Sequence, residues 1–315
     1  MKKLKITTVI ISLFLTIFVF SSSAFAEINI VTTVPDLAAI AKEIGGDNVK
    51  VKSLGKGYQN PHYVDAKPSY IVDLNKADML IYVGLDLEIG WLPILVTGAR
   101  NSKINSPNFG GSLDTSTLVP LMDVYNTKVD RSQGDIHPGG NPHYLLDPRR
   151  ALIVANGIAE RLSEIDPENA LSYETNLSGF AGRLEGKIIE WDKSLAPYRG
   201  TKVFTYHKLW TYFIDWADFV EEGTIEPKPG IPPSPKHVAE LIKIAENSEV
   251  KLVLSANYYP KKTGEQIAKT AGIPFLSLPV QVGGQKGINS YTELIDDIVN
   301  SITSTLEKDL MAINE

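Results

Sequence analysis

The run from Asp166 to Pro197 constrains this chain more than any other stretch. Its apolar residues Ala170, Tyr173, Leu177, Phe180, Leu184, Ile188, Trp191 and Leu195 are spaced only by threes and fours, the period of one face of a helix, and Pro197 closes the run. From Pro167 to Leu195, at about 1.5 Å per residue, such a helix is roughly 43 Å long, more than one small domain spans. It predicts a rod that bridges two lobes. Gly179, Gly182 and Gly186 lie within it. Each costs about 1 kcal/mol against alanine in a helix interior, so the expectation is a second segment packed closely along that face.

The first 26 residues read as a cleavable secretory signal peptide. Lys2, Lys3 and Lys5 precede the apolar stretch Ile6 to Phe20, and Ala24-Phe25-Ala26 supplies the small-residue cleavage pattern. The chain has no cysteine, so it offers neither a disulfide nor a lipid attachment residue. The expected location is an exported compartment, most simply a bacterial periplasm. Losing the three lysines of the leader takes the formal net charge from −6 to −9, which argues against nucleic acid and anionic membranes as partners. About 290 residues exceed what one core usually fills, and the expected division is a lobe over 27–165, the linking helix over 166–197 and a second lobe over 198–315.

Both halves alternate strand and helix. In the first, strands are expected at Glu27–Thr32, Val49–Leu54 and Met79–Val83, with helices opening at Pro35 and Pro68 and around Trp91. In the second, strands at 202–206, 218–222, 251–255 and 274–278 alternate with helices at 208–216, 234–246, 261–271 and 290–307. This rhythm predicts an α/β chain with mainly parallel sheets and right-handed crossovers. Residues 101–140 are rich in Asn, Ser, Gly and Asp, with weak strands near Leu113 to Pro120 and a segment from Asn126 to Gly140 expected to be mobile. Asp147 should cap a helix that has Pro148 at its first position.

Two of the five histidines share one frame, Asn60-Pro61-His62 and Asn141-Pro142-His143, each followed by a tyrosine. The proline fixes its own φ and pushes the asparagine toward extended backbone, so each imidazole stands on a stiff loop, which suits a metal ligand. His207 directly follows a strand, at the carboxyl end where ligands collect in open α/β sheets. Neutral imidazole is a preferred ligand of Zn²⁺ and other late divalent ions. His137 is a candidate accessory ligand, and His237, on a helix after Pro235, reads as solvent-facing.

The ordered set Asn60-Pro61-His62, Lys67-Pro68-Ser69, Ala77 to Gly84, Asn141 to Pro148, Phe204-Thr205-Tyr206-His207 and Ala271-Gly272-Ile273-Pro274 resembles the metal-binding solute-binding proteins of ABC importers, the ZnuA- and TroA-like group. The resemblance covers essentially the whole chain beyond the leader. It implies two α/β lobes joined by one long helix, with Zn²⁺ or Mn²⁺ in the cleft on His62, His143 and His207. It also implies a monomer that hands the metal to a membrane permease. Many relatives place an aspartate shortly after the last strand, where this chain reads Leu278-Pro279-Val280-Gln281, and zinc members often carry a longer His-rich loop before the second histidine. The fourth ligand is therefore open between water, Gln281, His137 and a distant glutamate. Two other functions remain. A three-histidine metallohydrolase is one, although neither His-Glu-x-x-His nor a recognisable base accompanies the histidines. A metal-binding adhesin or chaperone is the other.

Overall fold

The computed structural model describes residues 27–105, 110–125 and 134–313. The expected leader at 1–26 and part of the expected mobile loop, residues 126–133, lie outside the described residues. β1 (Ile28–Thr32), β2 (Val49–Ser53), β3 (Met79–Tyr82) and β4 (Ser112–Asp114) form one sheet in the order β2-β1-β3-β4, every neighbour parallel. β5 (Lys202–Thr205), β6 (Val220–Thr224), β7 (Leu252–Ala256) and β8 (Phe275–Leu278) form a second in the order β6-β5-β7-β8, again all parallel. In both sheets the chain starts in an inner strand, adds one neighbour outside it, then crosses to the other side. That reversal of direction is where open α/β sheets gather ligands at their carboxyl edge.

The helices of the first lobe are α1 (Pro35–Gly45), α2 (Pro68–Asn75), α3 (Leu92–Ala99), α4 (Ser102–Asn105) and α5 (Pro148–Ile165). Proline occupies the first turn of α1, α2 and α5, where its missing N–H has no partner to lose. Asp147 caps α5 as expected, its carboxylate accepting from the Arg149 N–H. Of the weak strands expected near Leu113 to Pro120 only β4 forms. The Asp114 carboxylate caps a 3₁₀ turn at Thr115–Thr117 and ends it.

The long linker is α6 (Ala170–Leu195), 26 residues, flanked by 3₁₀ turns at Pro167–Asn169 and Ala196–Tyr198. Its first half meets α1, where Asn176 donates to the Ile44 carbonyl at 2.9 Å and Arg183 pairs with Glu43 at 2.7 Å. Its second half is tied into the second lobe. The Trp216 indole N–H of α7 (Thr211–Ala217) donates to Asp192, and the Trp191 indole N–H donates to Asp296 of α10 (Tyr291–Ile313), both at 2.8 Å. Between α7 and α10 come α8 (Pro235–Ser248) and α9 (Lys261–Ala271).

The glycine reading of this helix is corrected. Nothing lies within 4 Å of a Cβ built on Gly182 or Gly186, and Gly179 meets only the end of the Arg183 side chain. The buried face consists of Tyr173, Phe180, Leu184, Trp191 and Leu195, and the glycines point to solvent on the other side.

One hydrophobic core runs unbroken from Ile30 in β1 through α1, α5 and α6 to Val299 and Leu306 in α10. The segment after β8 returns to the first lobe, with the Val282 N–H donating to Asp36 at 2.9 Å and the Tyr291 hydroxyl to the Leu145 carbonyl at 2.6 Å. The lobes therefore share packed interior as well as a linker. Domains joined by extensive apolar packing do not move freely against each other.

Candidate metal centre

Each Asn-Pro-His frame folds into the same turn. Asn60 Oδ1 accepts the backbone N–H of His62 and Asn141 Oδ1 that of His143, both at 3.0 Å, so the asparagine as well as the proline sets the loop. The loop of His62 is pinned from behind by the Trp91 indole N–H on the Pro61 carbonyl at 3.0 Å. The loop of His143 is held toward the second lobe. Its Asn141 amide donates to the Lys208 carbonyl at 2.7 Å, and its Asn141 carbonyl accepts the Tyr212 hydroxyl at 2.8 Å. His207 follows β5 after one residue, at the carboxyl edge of the second sheet.

These three imidazoles meet. One ring nitrogen from each of His62, His143 and His207 lies within 4.8 Å of the other two. Their ring centroids form a nearly equilateral triangle of 5.4, 5.6 and 5.6 Å. His62 and His207 are buried, and His143 is half-buried with its Nε2 shielded from solvent and without a hydrogen-bond partner among the described residues. A buried polar atom placed this way calls for a partner, and a metal-ligating role would supply one.

The outer nitrogens fix the tautomers. His62 Nδ1 lies 2.8 Å from Asn60 Oδ1, which already accepts a backbone N–H and so is the amide oxygen. His207 Nδ1 lies 2.8 Å from Glu226 Oε2. Both partners accept, so both Nδ1 atoms carry the proton and both Nε2 atoms present a lone pair inward. Glu226 also accepts the Gly230 N–H at 2.9 Å. This is the imidazole-to-carboxylate support that orients metal-binding histidines and raises their basicity. Burial, then the neighbouring His207 and His137, holds the His143 imidazole well below the ordinary histidine range, so it stays neutral and ready to ligate.

The other sequence candidates divide. His137 stands against one member of the cluster, its Nε2 3.0 Å from that of His62 and its ring centroid 5.2 Å away. Gln281 is buried, donates its amide N–H to the Gln59 carbonyl at 3.3 Å, and lines a cavity of about 40 Å³ together with Asp36, Tyr258 and His143. His237 is half-buried rather than solvent-facing, its Nε2 bonded to the Thr224 carbonyl at 2.9 Å. Sequence reasoning missed Glu226. The available signal was a carboxylate just after a strand and just before the stiff turn Pro227-Lys228-Pro229-Gly230.

The chain is 26% identical to the metal ABC transporter substrate-binding lipoprotein SloC of Streptococcus mutans, over 96% of this chain and all of that protein. It is 23% identical to the manganese ABC transporter substrate-binding lipoprotein PsaA of Streptococcus pneumoniae, over 91% of this chain and 92% of the relative. Among solved structures it shares the fold of ZnuA, with a TM-score of 0.75 at 24% identity over 89% of this chain and 99% of that one. The description of one family, the zinc-uptake complex component A periplasmic proteins, matches residues 30–305, nearly the whole described chain. With the three-histidine cluster at the carboxyl edges of two parallel sheets, this protein belongs to that family.

Proposed function

We propose that this protein captures Zn²⁺ in an exported compartment and delivers it, as a monomer, to the membrane permease of an ABC importer, with His62, His143 and His207 as ligands. The observation that carries the reading is the convergence of three imidazoles from both lobes into a cluster that, among the described residues, includes no carboxylate ligand. Imidazole suits the borderline ion, whereas Mn²⁺ prefers carboxylate, carbonyl and water oxygens. Relatives named for manganese and a family named for zinc leave the choice of ion to the donor set of this chain. Tetrahedral zinc with bonds of about 2.05 Å places its nitrogens about 3.3 Å apart, so the three need draw together by no more than about 1.5 Å from the 4.8 Å limit.

The signal-peptide reading of residues 1–26 supports export, and the chain has no cysteine to carry the lipid that the names of its relatives imply. Catalysis is the weaker reading. Glu226, the carboxylate bonded to the cluster, is already engaged by His207 and by Gly230, which suits it to orienting a ligand rather than activating water. The deciding experiment is titration of the metal-free mature protein with Zn²⁺ and, separately, Mn²⁺. One zinc per chain, bound more tightly than manganese, is expected. Tighter manganese binding, or no zinc binding at all, would overturn the proposal.

A further inference from the structure

His137 sits on a short strap between β4 and α5. Its Nδ1 lies 2.6 Å from the Leu85 carbonyl, an acceptor, so Nδ1 carries the proton and Nε2 is a lone pair. The Nε2 of His62 is a lone pair for the same kind of reason, with Asn60 on its Nδ1. Yet the two Nε2 atoms face each other at 3.0 Å. Two acceptors at that distance repel unless a cation lies against both. The separation is close to the roughly 3.3 Å between two nitrogens on tetrahedral zinc. The nitrogens of His143 and His207 lie within 4.8 Å of that of His62, and His137 lines the same cavity as His143 and His207.

We infer that His137 is the fourth zinc ligand and that residues 134–141 form a strap that lays it over the mouth of the site. The inference rests on the proposed zinc site and deepens it.

The strap is built to be placed and released. Glycine stands at both ends with backbone that side chains rarely adopt, Gly134 at φ +108° and Gly140 at φ +130°. At Gly134 a Cβ would come within 2.3 Å of the Pro229 carbonyl. Across the cleft, the Asp135 N–H donates to that same carbonyl at 2.8 Å. On its own side, the Asp135 carboxylate accepts the Tyr63 hydroxyl, and the Asn141 N–H donates to the Met122 carbonyl at 2.8 Å. Pro229 belongs to the turn that Glu226 holds through the Gly230 N–H. Glu226 thus steadies two things at once, the ring of His207 and the anchor of the strap that carries His137. Lifting the strap removes one ligand and opens one face of the ion, while three histidines keep hold of it. Gln281 is not needed as a ligand, and the cavity that contains His137, His143 and His207 is not lined by it.

The test is X-ray absorption of the zinc-loaded mature protein, with zinc affinity measured in parallel, for the wild type, His137→Ala, Gln281→Ala and His143→Ala. Four imidazoles are expected in the wild type and in Gln281→Ala. His137→Ala should show three imidazoles and one added oxygen, with affinity reduced at least ~10-fold, the lower bound for losing even an outer partner of a ligand. An unchanged imidazole number and affinity in His137→Ala overturns the inference, as does a Gln281→Ala protein that loses a ligand instead. If His143→Ala also binds zinc undiminished, it is the histidine site itself that fails, and the two failures are distinct. Circular dichroism of metal-free His137→Ala should match the wild type, since the strap lies outside the core.

Discussion

Glu226→Ala is the perturbation whose consequences follow most fully from the geometry. The buried Glu226 carboxylate is the acceptor for His207 Nδ1–H at 2.8 Å and for Gly230 N–H at 2.9 Å. Its removal has three effects. The imidazole loses the partner that holds its proton on Nδ1, so the tautomer with Nε2 protonated, which cannot ligate through the inward nitrogen, becomes populated. The ring loses its orientation. The turn that anchors Asp135 loses its brace. Loss of such an outer partner costs 10–100-fold in metal affinity, about 1.4–2.7 kcal/mol. The metal-free protein should also be destabilised by about 1–3 kcal/mol, because a buried N–H is left without an acceptor. Glu226→Gln keeps one acceptor oxygen and should lose less. Competition with a chromophoric zinc chelator reads the first effect and denaturant unfolding of the metal-free protein the second. Zinc affinity unchanged in Glu226→Ala would refute the assignment of His207 Nε2 as a ligand nitrogen.

The exposed glycines of α6 give a prediction of opposite sign: Gly182→Ala and Gly186→Ala should each stabilise the protein by up to about 1 kcal/mol in denaturant unfolding, since nothing lies within 4 Å of the added methyl group. Asp36 supplies a pH dependence. Burial raises its carboxyl to about 7, against the opposing Val282 N–H, so between about pH 4 and 7 the folded state binds a proton that the unfolded chain does not. Its contribution is full below about pH 4 and is lost as pH rises through 7, with an upper bound of about 4 kcal/mol at 1.36 kcal/mol per unit. Asp36→Asn should therefore flatten the stability profile between about pH 4 and 7, and an unchanged profile contradicts this. Because one core joins both lobes, metal binding should leave the radius of gyration in solution scattering nearly unchanged, and a large contraction would show a hinge that this packing forbids.

What the sequence disclosed was what periodicity and stiff local motifs encode. Ile28–Thr32, Met79–Tyr82 and Leu252–Ala256 fell where apolar runs placed strands, and α6 where threes and fours placed a helix. His62, His143 and His207 were visible because prolines and strand ends fix where they stand. The glycines of α6 misled because their own spacing of three and four looks like a packing face, and spacing alone does not say which side of a helix the partner lies on. His137 was legible only as one candidate accessory ligand among several, and Glu226 was missed, for a shared reason. Each is placed by contacts with irregular backbone, the Leu85 carbonyl in one case and the Pro229 turn in the other, and no local pattern specifies which distant loop a strap will meet.

The most direct test of the central claim is anomalous diffraction at the zinc edge from crystals of the mature protein loaded with one equivalent of Zn²⁺. A single peak should lie about 2.0–2.1 Å from the Nε2 atoms of His62, His143 and His207. A zinc ion bound anywhere else on the chain, or bound through Nδ1 with Glu226 displaced, would contradict it.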